Sequence, residues 1–172
     1  METAHSAVKT TRLEEYQPPV YLVEEVVLDV DIHDGVTTVT SRLSLKHNPA
    51  STVPAGEMRF NGEGLALRAL SLDGVALDDG QYEYRDDQLI VRGLPEHCQL
   101  TSIVEIQPEK NTALDGLYRS NGMYCTQCEA EGFRRITFFP DRPDVLARFT
   151  TTVRADKKRY PLLLSNGNPV AQ

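Results

Sequence analysis

Along much of the chain, buried-type and water-facing residues alternate with a period of two. Val26, Leu28, Val30 and Ile32 interleave with Val27, Asp29, Asp31 and His33, the spacing of a strand that buries one face. Asp34-Gly35 follows as a turn. The return segment sets Val39, Leu43 and Leu45 on one face and Thr38, Thr40, Arg42 and Lys46 on the other, so the two runs form an antiparallel hairpin. Asp73-Gly74 repeats the device between 70–72 and 75–77, and Ser120-Asn121-Gly122 between 117–119 and 123–126. Further strands are expected at 81–85, 88–92, 100–106 and 149–155. Short strands at such spacing, punctuated by Asp-Gly and Asn-Gly, predict an all-β sandwich of antiparallel strands or strongly curved sheets.

Helical periodicity is nearly absent. Residues 144–148, after Pro143, are expected to make at most one short helical turn. Residues 1–15 are polar and read as a flexible leader, and Pro18-Pro19 sets an extended entry to a first strand near Val20. No internal repeat, low-complexity tract or interdomain linker interrupts 16–172, which reads as one domain.

With 172 residues, 40% of them hydrophobic, the chain can bury a core. A formal net charge of -7 argues against a nucleic-acid partner, because such binding depends on basic clusters that displace counterions. The densest basic stretch, Lys157-Lys158-Arg159, reads as a solvated turn. No apolar run approaches the roughly 20 residues that span a bilayer, so no membrane partner is expected. Three cysteines, an odd number, without a readable signal peptide point to free thiols and a cytoplasmic setting.

The chemistry concentrates in 125–133, CTQCEAEGF. Gln127 and Glu129 lie two apart and share one side of any extended segment. An amide beside a carboxylate suits a cationic group such as a peptide amino terminus, through short charge-assisted hydrogen bonds. The same pair also fits a plain solvated strand face. Cys125 and Cys128 offer a second possibility: with His97 and Cys98 they could make a zinc site, or alone a redox pair. Against zinc, adjacent His97 and Cys98 point to opposite faces of a strand. Against redox, the motif sits in a strand-rich stretch and does not open a helix. The four histidines, His5, His33, His47 and His97, include no His-Glu-x-x-His pair.

The text GLYRSNGMYCTQCEAEGF, continued by RRITFFPDRPDVLARFTTTV and by Ala155-Asp156-Lys157 and Tyr160 through Pro169, resembles the amino-terminal domain of the aminopeptidase N family, gluzincin-type zinc metallopeptidases. The bacterial form is the nearest in pattern. The resemblance implies a saddle-like sandwich that belongs to a zinc aminopeptidase releasing single residues from peptide amino termini. It places the zinc ligands, general base and Gly-x-Met-Glu-Asn motif in a following domain, so this fragment alone is expected to bind no catalytic zinc and to hydrolyse nothing. Its partners would be the peptide substrate, through the free amino terminus, and that catalytic domain.

By the same resemblance Glu129 binds the substrate's amino group, Gln127 lines the cleft, and the bond Glu129-Ala130 is cis, with Gly132 easing the tight return. A carboxylate at a fixed distance from the scissile carbonyl measures off one residue, and such positioning converts binding into rate. Loop 139–143 departs from the family's Phe-Asp-Glu-Pro at Arg142 and is assigned a structural role, with Asp141 tying down backbone N–H groups. Tyr118, Arg134 and Arg135 stay outside the site. In the family the domain continues past 165–168 into another hairpin, so the chain reads as truncated. Leu162, Leu163 and Leu164 then suit a strand covered on both faces, and without its cover an apolar patch. The rival reading is a stand-alone β-sandwich binding module, separated from the first only by the text from Cys125 to Val170.

Overall fold

A computed structural model describes residues 12–170. The alternation of the opening residues becomes two long strands, β1 (Tyr21–His33) and β2 (Val36–His47), paired antiparallel around the Asp34-Gly35 turn. Parity switches within β1. Tyr21 and Val23 face inward, and after a bulge between Val23 and Glu25 the inward set becomes Val26, Leu28, Val30 and Ile32. The extra residue lets one strand keep both apolar sets on the same side.

The remaining strands are β3 (Glu57–Asn61), β4 (Ala66–Leu72), β5 (Val75–Ala76), β6 (Tyr82–Arg85), β7 (Gln88–Arg92), β8 (His97–Ile106), β9 (Gly116–Ser120), β10 (Met123–Gln127) and β11 (Arg148–Arg154). They form a six-stranded sheet in the order β11-β1-β2-β8-β4-β5, a three-stranded sheet β3-β7-β6 and the hairpin β10-β9. Cross-strand neighbours stack the core in rows: Val26, Leu43 and Leu100 in one, Val30, Val39 and Val104 in another. All six are buried, and each such side chain contributes about 1.5–3 kcal/mol by leaving water. Met58 and Phe60 of β3, Leu89 and Val91 of β7, and Ile136, Phe138 and Phe139 complete the same core. The all-β, sandwich-like architecture is therefore the observed one.

Three details differ from expectation, and one falls largely outside the described residues. β11 runs parallel to β1, pairing Val26 with Phe149 and Val30 with Val153, so the sheet is mixed; a strand's partner is chosen by tertiary packing, which alternation does not encode. The helical turn expected at 144–148 is absent, and short 3-10 turns stand instead at Leu13–Glu15, Pro108–Lys110 and Phe133–Arg135. At this place the chain makes a single turn at Pro143-Asp144, closed by the Val145 N–H to the Arg142 carbonyl at 3.2 Å, while the Arg142 guanidinium forks onto Asp144 at 2.8 and 2.6 Å and donates to the Gln17 carbonyl at 2.8 Å. The expected leader falls mostly in 1–11, outside the described residues, and its last part contains the turn at Leu13–Glu15. Finally, Leu162, Leu163 and Leu164 are exposed and belong to no strand among the described residues.

Candidate functional site

Hairpin β9-β10 carries the Gln-x-Glu segment, and its turn has both central residues, Asn121 and Gly122, at positive φ, the conformation that matches strand twist. Gln127 is the last residue of β10 and pairs with Gly116, the first of β9. The chain then folds back sharply. The Gly132 N–H donates to the Cys128 carbonyl at 3.0 Å, and a Cβ on Gly132 would lie 2.4 Å from the Gln127 carbonyl oxygen and 2.9 Å from Cys128 Cα. Gly116 is as close on its side: a Cβ there would meet Gly132's carbonyl oxygen at 3.0 Å and Arg135 Cβ at 2.7 Å. Two glycines face to face let the loop lie directly on the hairpin.

At the crest of this loop Gln127, Glu129, Ala130 and Glu131 are exposed, and the Glu129-Ala130 bond is cis. The Gln127 side-chain amide donates to the Glu129 backbone carbonyl at 2.9 Å, so the first residue of the pair braces the second. Among the described residues no cation forms an ion pair with the Glu129 carboxylate, whereas Glu131 lies 3.4 Å from Arg134. An exposed acid without a protein cation, beside an oriented amide, can accept a ligand ammonium. Two concavities lie away from Glu129. The bigger, about 500 Å3, is lined by Glu63, Arg68, Glu105, Lys110 and Arg135 among others, and the smaller lies between β1 and 144–146.

Next to the loop Arg134 and Asp141, seven residues apart, form an ionic bridge that local spacing does not pair. Asp141 accepts from the Arg134 backbone N–H at 3.1 Å and from its Nε at 3.0 Å, while Arg134 Nη2 donates to the Asp141 carbonyl at 3.0 Å. Asp141 therefore does tie down a backbone N–H, as expected of its loop. On the other flank of β10, the Tyr124 hydroxyl donates to Glu109, and the Tyr160 ring meets the Tyr124 ring edge-on at 5.2 Å. Burial pushes the Glu109 carboxyl up, but hydrogen bonds from Tyr124 and the Gly35 N–H, with the charge of Arg119, bring it below its ordinary value. The same contact raises Tyr124, where burial is the largest cause.

The cysteines take a different place from the one a metal or redox site requires. Cys98 is buried on the core face of β8, opposite Leu45, and His97 is exposed on the other face. Cys125 and Cys128 are half-buried, and all three thiols are free. Burial, and then the charges of Asp141 and Asp115, raise the Cys128 thiol, which disfavours the thiolate that redox and metal chemistry use. Among the described residues no three His, Cys, Asp or Glu side chains are grouped to hold a metal ion. No helix among them is long and apolar enough to cross a membrane.

The mixed, sandwich-like fold is that of a known peptidase domain. Residues 24–172 match the family described as Peptidase M1 N-terminal domain, and the chain belongs to that family. It is 44% identical over 163 residues to Aminopeptidase N of Caulobacter vibrioides, covering 95% of this chain, and 45% identical over 160 residues to Aminopeptidase N of Escherichia coli, covering 92%. In each case the match spans 18% of the relative's length. Among solved structures, Legionella pneumophila aminopeptidase A in complex with aspartic acid superposes with a TM-score of 0.83 at 32% identity, over 91% of this chain and 18% of that one. An M1 zinc metallopeptidase from Deinococcus radiodurans shares the fold, with a TM-score of 0.64 at 17% identity over 80% of this chain and 33% of that one.

Proposed function

We propose that the chain is the part of a cytoplasmic zinc-dependent aminopeptidase that receives the free amino terminus of a peptide. Glu129 takes the α-ammonium, and Gln127, braced on the Glu129 carbonyl, lines the same cleft. The observation that carries this reading is the Glu129 carboxylate: exposed, without a protein cation among the described residues, and set at the crest of a loop packed on paired glycines. The wall that would close the cleft, and the zinc ligands, are assigned to other parts of the longer enzyme. Family membership supports the aminopeptidase reading over a stand-alone binding module.

In the longer enzyme, Glu129→Gln should lower kcat/KM for free-amine substrates several hundredfold or more, since losing one partner of a desolvated ion pair costs roughly 3–5 kcal/mol. Gln127→Ala should lose less, because a neutral hydrogen bond contributes about 0.5–1.5 kcal/mol. An unchanged kcat/KM in Glu129→Gln rejects the anchor. The 172-residue chain by itself should neither cleave aminoacyl reporters nor retain stoichiometric zinc, and chelator-sensitive activity in it would reject that assignment.

A further inference from the structure

We propose that Arg134 is the positioning residue of the Glu129 anchor, an inference that rests on the anchoring reading. One guanidinium joins the loop that carries the anchor to the segment at Asp141. Its Nη1 is 3.4 Å from Glu131, two residues beyond the anchor. Its Nε and Nη2 hold Asp141 at 3.0 Å each, through the side chain and the carbonyl. Asp141 in turn takes its own N–H to Asn61 Oδ1 at 3.2 Å, and Asn61 is the end of β3, hydrogen-bonded through its backbone to Phe139 at 2.8 and 3.1 Å. The Arg134 carbonyl accepts from the Glu63 N–H at 2.9 Å, which fixes the arginine's own backbone to the same sheet end.

Arg134 and Asp141 are mostly buried, with side chains 18% and 14% exposed, while Glu131 is 68% exposed. The buried end is thus held by the fold, and the exposed end reaches the crest of the loop two residues from Glu129, whose carboxylate has no ion-pair partner of its own among the described residues. A planar fork with several donors can serve both acids and a carbonyl together, and a lysine ammonium cannot reproduce that geometry. Held this way, the Glu129 carboxylate meets an incoming ammonium at a fixed height above the hairpin, and a shift of the loop by an ångström would move it out of register.

The test is a double-mutant cycle in the longer enzyme, which separates positioning from bulk stability. Arg134→Lys should lower kcat/KM for a free-amine reporter about tenfold, the size of one charge-assisted hydrogen bond, with the loss in KM and kcat little changed. In a Glu129→Ala background the same substitution should lose little more, because no anchor remains to be positioned. Glu131→Gln cuts the exposed link alone and leaves the Arg134–Asp141 pair, so it keeps the test available if Arg134→Lys does not fold. It should give a smaller KM rise that also vanishes in Glu129→Ala. Equal losses with and without Glu129 would make Arg134 a purely structural residue and overturn the proposal. A Glu129→Ala enzyme as active as the parent would instead overturn the anchoring reading itself.

Discussion

In the sheet β1-β2-β8 each buried side chain is held by one directly opposite on the next strand, Val26 by Leu43 and Leu43 by Leu100. In 129–131 every side chain is exposed, and the loop is held by what lies beneath it: the Gly116–Gly132 contact, the Gly132 N–H to Cys128 bond and the Arg134–Asp141 bridge. On the proposed reading, stability and recognition draw on different atoms. A site that must meet a ligand cannot bury its own functional groups, so its precision comes from the backbone and from the layer below. Damage to the sheet should therefore cost folding energy and spare ligand discrimination, and damage to the loop should do the reverse.

The largest effect on the sheet side is expected from Leu100→Ala, a buried position in the central row, at about 2–5 kcal/mol by denaturant unfolding of this chain. An effect below 1 kcal/mol would mean that the row is not a shared core. On the loop side, Gly132→Ala places a methyl against backbone atoms that cannot swing aside. In the longer enzyme it should reduce kcat/KM on the order of 100-fold through displacement of Glu129, and wild-type kinetics would contradict the close packing.

The pH response should belong to the sheet. Burial raises the Cys98 thiol from 9.0 to about 11, with Asp73 adding to it. The folded state holds this proton more tightly than the unfolded chain. Its contribution is complete below about pH 9 and is lost as pH rises towards 11, on the order of 2 kcal/mol in all. Unfolding of Cys98→Ala should show that much less alkaline loss; identical profiles would place the cause elsewhere. The smallest change is Tyr84→Phe, which removes a 3.0 Å bond to the Gly62 carbonyl while keeping the edge-on contact with Phe138. About 1 kcal/mol of stability should go, with kcat/KM unaltered.

Much of the sheet was legible because alternation is a local property: Val26 to Ile32 and Val39 to Leu45 face inward as their spacing required. The hairpin turns with Asp-Gly and Asn-Gly were equally plain, whereas Asp86-Asp87, both at positive φ, makes the same kind of turn without a glycine to mark it. The bulges at Val23/Glu25 and Leu67/Ala69 and the parallel seating of β11 depend on what lies opposite, and no local pattern carried them. At the loop, Gln127 and Glu129 stood out as chemistry. Arg134 did not, because an arginine's partners are set by a segment seven residues away folding back, and its charge alone looks like any other.

The central claim is that Glu129 reads the α-ammonium, and it is tested most directly by ligand discrimination in the longer enzyme. An amino acid amide and its des-amino analogue, otherwise identical, are compared as competitive inhibitors of the parent and of Glu129→Gln. The account predicts that the parent prefers the amine-bearing ligand by about 100-fold or more and that most of this preference disappears in the variant. A preference that survives the substitution intact would show that another group reads the amine.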